Sequence, residues 1–121
     1  MKFLLLVIPK NFPSAPADFR PDPARVEAMG KFNAELEKAG VLLDLNGLHP
    51  PASAVRVHFE AGKAVVRDGP FAEAKEAIGG YWMIQVRSKD EAVAWATRVP
   101  AGEEVIEVRQ IHDPADFAPK P

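Results

Sequence analysis

The chain of 121 residues contains no cysteine. That excludes a disulfide framework, a thiolate metal site and a thiol nucleophile. Net charge is also scarce: 15 Lys and Arg oppose 17 Asp and Glu, a formal charge of -2. A phosphate-tracking surface needs a cationic excess, so direct nucleic-acid binding is not expected. Long apolar runs are missing as well. The opening run Phe3-Leu4-Leu5-Leu6-Val7-Ile8 falls far short of the ~18–20 residues of a membrane span. It is also shorter than the ~7–15 residues of a signal-peptide core, and Pro9-Lys10-Asn11 follows it instead of a small-residue cleavage site. The run reads as a buried first strand, and a cytoplasmic, membrane-free protein is the expectation.

Proline is what the chain has in excess: 12 residues, about twice the usual ~5%. With 47% hydrophobic residues the chain is not disordered, and one domain of this length buries roughly two-thirds of its unfolded surface. Proline lacks an N–H and has a fixed φ, so its positions mark where elements stop. Lys2–Ile8 is a strand buried on both faces. Residues 9–22 form a loop. Asp22 caps, and Pro23 opens, a helix over Pro23–Ala39 whose stripe is Val26, Met29, Phe32, Asn33 and Leu36. Gly40 ends it. Val41–Leu48 is a second strand, broken by Pro50-Pro51. Ala54–Glu60 and Lys63–Arg67 pair as a hairpin across Ala61-Gly62.

After the turn at Asp68-Gly69-Pro70, residues 71–77 suggest one helical turn, and Tyr81–Val86 is a strand. Ser88 and Glu91 form a capping box for a helix running to about Val99, and Glu104–Ile111 is the last strand. The order is that of an α+β, ferredoxin-like βαβ–βαβ plan with a hairpin inserted in the middle. A single domain over 1–113 and a Pro-rich tail over 114–121 follow from it.

Alternation assigns the faces. Trp82, Ile84 and Val86 share one face, as do Ile106 and Val108; these meet the helices. Tyr81, Met83 and Gln85 lie opposite, with Glu107, Arg109 and Ile111. Leu42, Asp44, Asn46 and Leu48 share a side. This mixed face is too apolar for water and too polar for a dry core. It suits a ligand-sized cavity between two sheets in a symmetric homodimer, with Tyr81 and Met83 touching a small polar or aromatic ligand.

Asp68-Gly69-Pro70-Phe71-Ala72-Glu73-Ala74-Lys75-Glu76, followed by Gly79-Gly80-Tyr81-Trp82, resembles the YCII-related proteins of the DGPF-domain type. Glu91-Ala92-Val93-Ala94-Trp95-Ala96 and Ile106-Glu107-Val108-Arg109-Gln110-Ile111 continue the likeness over nearly the whole chain. Ala74 departs from the family's usual Thr, and Asn46 from its frequent Glu, which implies lost polar contacts. The resemblance implies a dimeric α+β barrel. It also implies one of two roles: a cofactor-independent enzyme or ligand binder with a His–Asp pair in a cleft, or a regulatory interaction module associated with sigma factors.

His49, stiffened by Pro50-Pro51, and Asp68, before its tight turn, are the candidate catalytic pair. A carboxylate on one imidazole nitrogen fixes the tautomer and raises the basicity of the other. The alternative is an Asp68 that accepts amides of its own turn. Glu73 and Lys75 offer a charged rim for a polar ligand, or a solvated surface. Arg109 with Glu107 offers a carboxylate clamp, or a pair satisfied within the chain. Arg56 and His58 read as exposed. His49, His58 and His112 lack metal-ligand spacing, so no metal is expected. Gly79-Gly80 precedes a strand and no Lys-Ser/Thr follows it, so no phosphate-binding cofactor is expected either.

Overall fold

A computed structural model describes residues 1–119; the last two residues of the expected tail, Lys120 and Pro121, lie outside the described residues. Strand β1 is Lys2–Ile8 and helix α1 is Pro23–Lys38. The Asp22 carboxylate accepts the Ala24 amide at 3.0 Å, and Gly40 takes φ 73° just past the helix, so both ends form as the sequence indicates. Strand β2 is Leu42–Gly47, and β3 (Val55–Glu60) turns at Ala61-Gly62 into β4 (Lys63–Asp68). Both turn residues have positive φ, which suits the right-handed twist of a two-residue hairpin. Strand β5 is Gly80–Gln85, helix α2 is Lys89–Ala96 and strand β6 is Val105–Gln110.

The main sheet runs β2-β5-β1-β6 with antiparallel neighbours, and β3-β4 forms a separate two-stranded ribbon. This is the ferredoxin-like α+β plan. Both helices supply the core on one face of the sheet. Phe3, Leu5, Trp82 and Ile84 meet Phe32 and Leu36 of α1, Ala92 of α2 and Val99 beyond it. Phe32 stands edge-on to Trp82, with ring centroids 5.1 Å apart. The Trp82 indole N–H is satisfied by the Asn33 side-chain oxygen at 2.6 Å. Leu5, Leu36 and Ile84 are fully buried, each worth about 1.5–3 kcal/mol over an exposed counterpart.

Local details depart from the sequence reading. A β-bulge lies between Leu42 and Asp44, so Leu42 pairs with Ile84 and packs on the core, not beside Asp44. The bulge residue Leu43 is left exposed. Helix α2 ends at Ala96, and Val99 reaches the core from the turn after it. The Glu91 carboxylate reaches the Arg87 amide rather than that of Ser88, while the Ser88 hydroxyl caps the Glu91 amide as expected. Residues 71–77 form a hydrogen-bonded turn, Ala74 N–H to Phe71 C=O, and no helix. No helix among the described residues is long and apolar enough to cross a membrane.

Candidate functional site

Two chain segments meet where β2 and β4 end. Beyond Gly47 the Leu48 amide donates to Gly79 C=O at 2.9 Å, which ties the exit of β2 to the entry of β5. Pro50 is buried, and Pro51–Ser53 makes one 3-10 turn. At the end of β4 the Gly69 amide donates to Ala54 C=O at 2.7 Å. A Cβ on Gly69 would stand 1.9 Å from Pro51 C=O, so only glycine allows this approach. The Gly69-Pro70 peptide is cis. The turn after Asp68 is therefore packed against Pro51 and Ala54, in the segment that follows His49. Both residues themselves are exposed, and the one histidine–carboxylate pair among the described residues is His112–Asp116.

His49 borders a cleft of about 840 Å³ on the helix side of the sheet. Its wall is apolar: Phe12, Phe19, Val26, Met29 and Leu48. Val26 was expected in the core stripe of α1, but it is 55% exposed and faces this cleft instead. Arg20, Arg25, Asn33 and Glu104 add polar groups. A smaller pocket of about 210 Å³ adjoins it, sharing Met29, Asn33, Gly47 and Gly79. Arg25 and Glu104 are joined at 2.5 Å. Burial pushes the Glu104 carboxyl upward, but its own amide, the Arg25 guanidinium and the Gly102 amide together hold it below its ordinary value of 4.5.

Tyr81, Met83, Glu107 and Arg109 lie on the opposite, helix-free face, as alternation requires. Leu4 and Leu6 stand between them in β1. Asn46 Nδ2 donates to the Tyr81 hydroxyl at 3.0 Å, and that hydroxyl donates to Asp44 at 2.9 Å. Asn46, where the family often has Glu, thus makes a polar contact of its own. Arg109 is bonded to Glu107, so the two groups satisfy each other. The candidate residues accordingly fall into two sets: His49 at the helix-side cleft, and the four strand residues on the open face, of which Tyr81 also lines the smaller adjoining pocket.

Glu73 and Lys75 lie in the turn after Phe71, both exposed. Glu73 reaches Arg56 at 3.9 Å, and the Arg56 guanidinium stacks 3.8 Å over the Phe71 ring. This links the ribbon to residues 71–73. Sequence reasoning missed the cleft residues Arg20, Arg25 and Glu104, and also the pair His112 Nδ1–Asp116 Oδ2 at 3.1 Å. A His four residues before an Asp was the available signal for the latter. The cleft left no local signal, because its walls come from five separate stretches of chain. Among the described residues no three His, Asp or Glu side chains gather in a metal-binding group.

Fold and cleft together define a ferredoxin-like α+β domain with a ligand-sized, mostly apolar cleft against its first helix. The chain belongs to the YCII-related family: the model of the YCII-related domain matches residues 1–114. It is also similar to a protein of Rhizobium meliloti (strain 1021) named Uncharacterized protein R00369, with 41% identity over 59 residues. The match takes in 49% of this chain and 48% of that protein, so the chain spans about half the length of the curated relative it matches.

Proposed function

We propose that this YCII-related domain is a small-molecule-binding protein, working as a homodimer, whose ligand occupies the cleft beside His49. One observation carries the reading. A cleft of about 840 Å³ lies within the ~300–1,000 Å³ of ordinary ligand sites. It also combines an apolar wall with a few polar groups, the pattern those sites share. His49 is the candidate general base at its edge. Asp68, on the turn pinned against the segment after His49, is the candidate partner that orients the imidazole once a ligand is bound. Glu73 and Lys75 stand in the turn after Phe71, outside the lining of this cleft.

Two features support the homodimer. On the ribbon Val55, Val57, Phe59 and Val66 are exposed, Phe59 at 78%, and an isolated two-stranded ribbon is marginally stable in water. The open sheet face carries Leu4, Tyr81 and Met83 beside the pair Glu107–Arg109, a surface suited to a second sheet. A thermal-shift panel of small aromatic and acidic compounds tests the function. One or more should raise Tm, with a gain that grows as the logarithm of one plus ligand concentration over Kd, and His49→Ala should reduce that gain without lowering Tm of the free protein. A panel with no response would count against a ligand-binding role.

A further inference from the structure

Resting on that reading of the cleft, we propose that its ligand joins an apolar body to a single carboxylate, which Arg20 receives. The polar groups left free around the cleft are predominantly donors. Asn33 has committed its side-chain oxygen to Trp82, which leaves the amide N–H2 unpartnered among the described residues. Glu104 accepts through both oxygens, one from Arg25 and one from the Gly102 amide at 2.7 Å. Arg25 is committed to Glu104 through its terminal nitrogen, yet its Nε–H is buried with no acceptor. Arg20 and Arg87 belong to no ion pair among the described residues, whereas Arg25, Arg56, Arg67, Arg98 and Arg109 each have one, and of the two only Arg20 lines the cleft. Against these donors stand two free acceptors on side chains: the second oxygen of Asp22, whose first holds the Ala24 amide, and the ring nitrogen of His49 that carries no proton.

A ligand that satisfies surplus donors must bring acceptor oxygens. The charge balance limits how much negative charge it brings. Arg20 and Arg25 are offset by Asp22 and Glu104 around the same cleft. A monoanion adds one negative charge to this balanced set and faces Arg20, which no carboxylate pairs, whereas a phosphate dianion would add two beside two carboxylates. The apolar wall of Phe12, Phe19, Val26, Met29 and Leu48 takes up the rest of the molecule.

Three probes of one shape test this on the ¹⁵N-labelled chain by nuclear magnetic resonance: 2-naphthoate, neutral 2-naphthamide and cationic 2-naphthylmethylammonium. 2-Naphthoate should shift the amides of Phe19, Val26 and Leu48 together with the Arg25 Nε–H resonance. It should bind about tenfold more tightly than the amide, with the cation weakest. Arg20→Gln, an exposed position, should erase the carboxylate's advantage by lowering its affinity far more than that of the amide. Equal or tighter binding of the amide or the cation, or an advantage that survives Arg20→Gln, would overturn the ligand class while leaving the cleft as a binding site. If none of the three moves a cleft resonance, the binding site itself is refuted, and the ligand class with it.

Discussion

The amide of Gly69 donates to the carbonyl of Ala54 at 2.7 Å, and that bond holds the end of β4 against the turn that follows His49. The contact leaves no room for a side chain, since a Cβ would overlap Pro51 C=O at 1.9 Å. Gly69→Ala must therefore push apart two backbone segments. The expected loss is roughly 1–3 kcal/mol, the usual range for overpacking, read by urea denaturation. A variant as stable as the parent would show that the turn does not sit against Pro51.

The Tyr81 hydroxyl bridges Asn46 and Asp44 on the sheet face that the helices leave open. In a lone protomer this bridge is solvent-exposed, and Tyr81→Phe should cost under about 1 kcal/mol. Beneath a second copy the same bridge is buried, and its loss should cost about 1–3 kcal/mol. Chemical denaturation across a range of protein concentrations separates the two. The homodimer requires the larger loss at high concentration, and a small loss throughout would argue against it.

Phe59 offers a second handle on assembly, because it is exposed on the ribbon and packs on nothing in the core. Phe59→Glu should weaken self-association by at least tenfold while leaving the folded monomer intact. Analytical ultracentrifugation reads the first and circular dichroism the second. Wild-type association would place the interface elsewhere.

Glu104 sets the acid sensitivity of the cleft wall. Its folded pKa lies below the ordinary 4.5 despite burial, because Arg25 and the amides of Glu104 and Gly102 favour the carboxylate. A depressed pKa means the unfolded chain takes up the proton first. The stabilisation is complete above pH 4.5 and disappears as pH falls through the folded value. Glu104→Gln should cost roughly 1–2 kcal/mol at neutral pH, since Arg25 keeps partial solvent contact. The variant should also flatten the acid limb of the stability curve. Carboxyl titration by nuclear magnetic resonance giving a midpoint above 4.5 would contradict this.

How much of this was legible in the sequence depends on where each determinant resides. Asp22, Pro23, Gly40 and Ser88 act on neighbouring backbone, so helix starts and the first helix's stop were readable from local chemistry. Alternation placed Trp82, Ile84, Ile106 and Val108 on the core face. It failed at Leu42, because the bulge before Asp44 resets the period of two and comes from pairing with β5, a partner distant in sequence. Val26 fits a helical stripe by spacing, yet the core ends before it. Whether a striped residue meets the core or a cleft is set by the loops packed beyond the helix end. For the same reason His49 could be singled out as a candidate, but not placed on the face opposite Tyr81 and Arg109.

The measurement closest to the central claim is ligand binding by a chain whose cleft has been filled. Val26 lines the cleft and is 55% exposed, so Val26→Trp occupies ligand space without entering the core. By isothermal titration calorimetry with 2-naphthoate, the parent should bind with saturable heat, and Val26→Trp should bind at least tenfold more weakly at unchanged Tm. Equal affinity in the two proteins would contradict the assignment of the cleft beside His49 as the site.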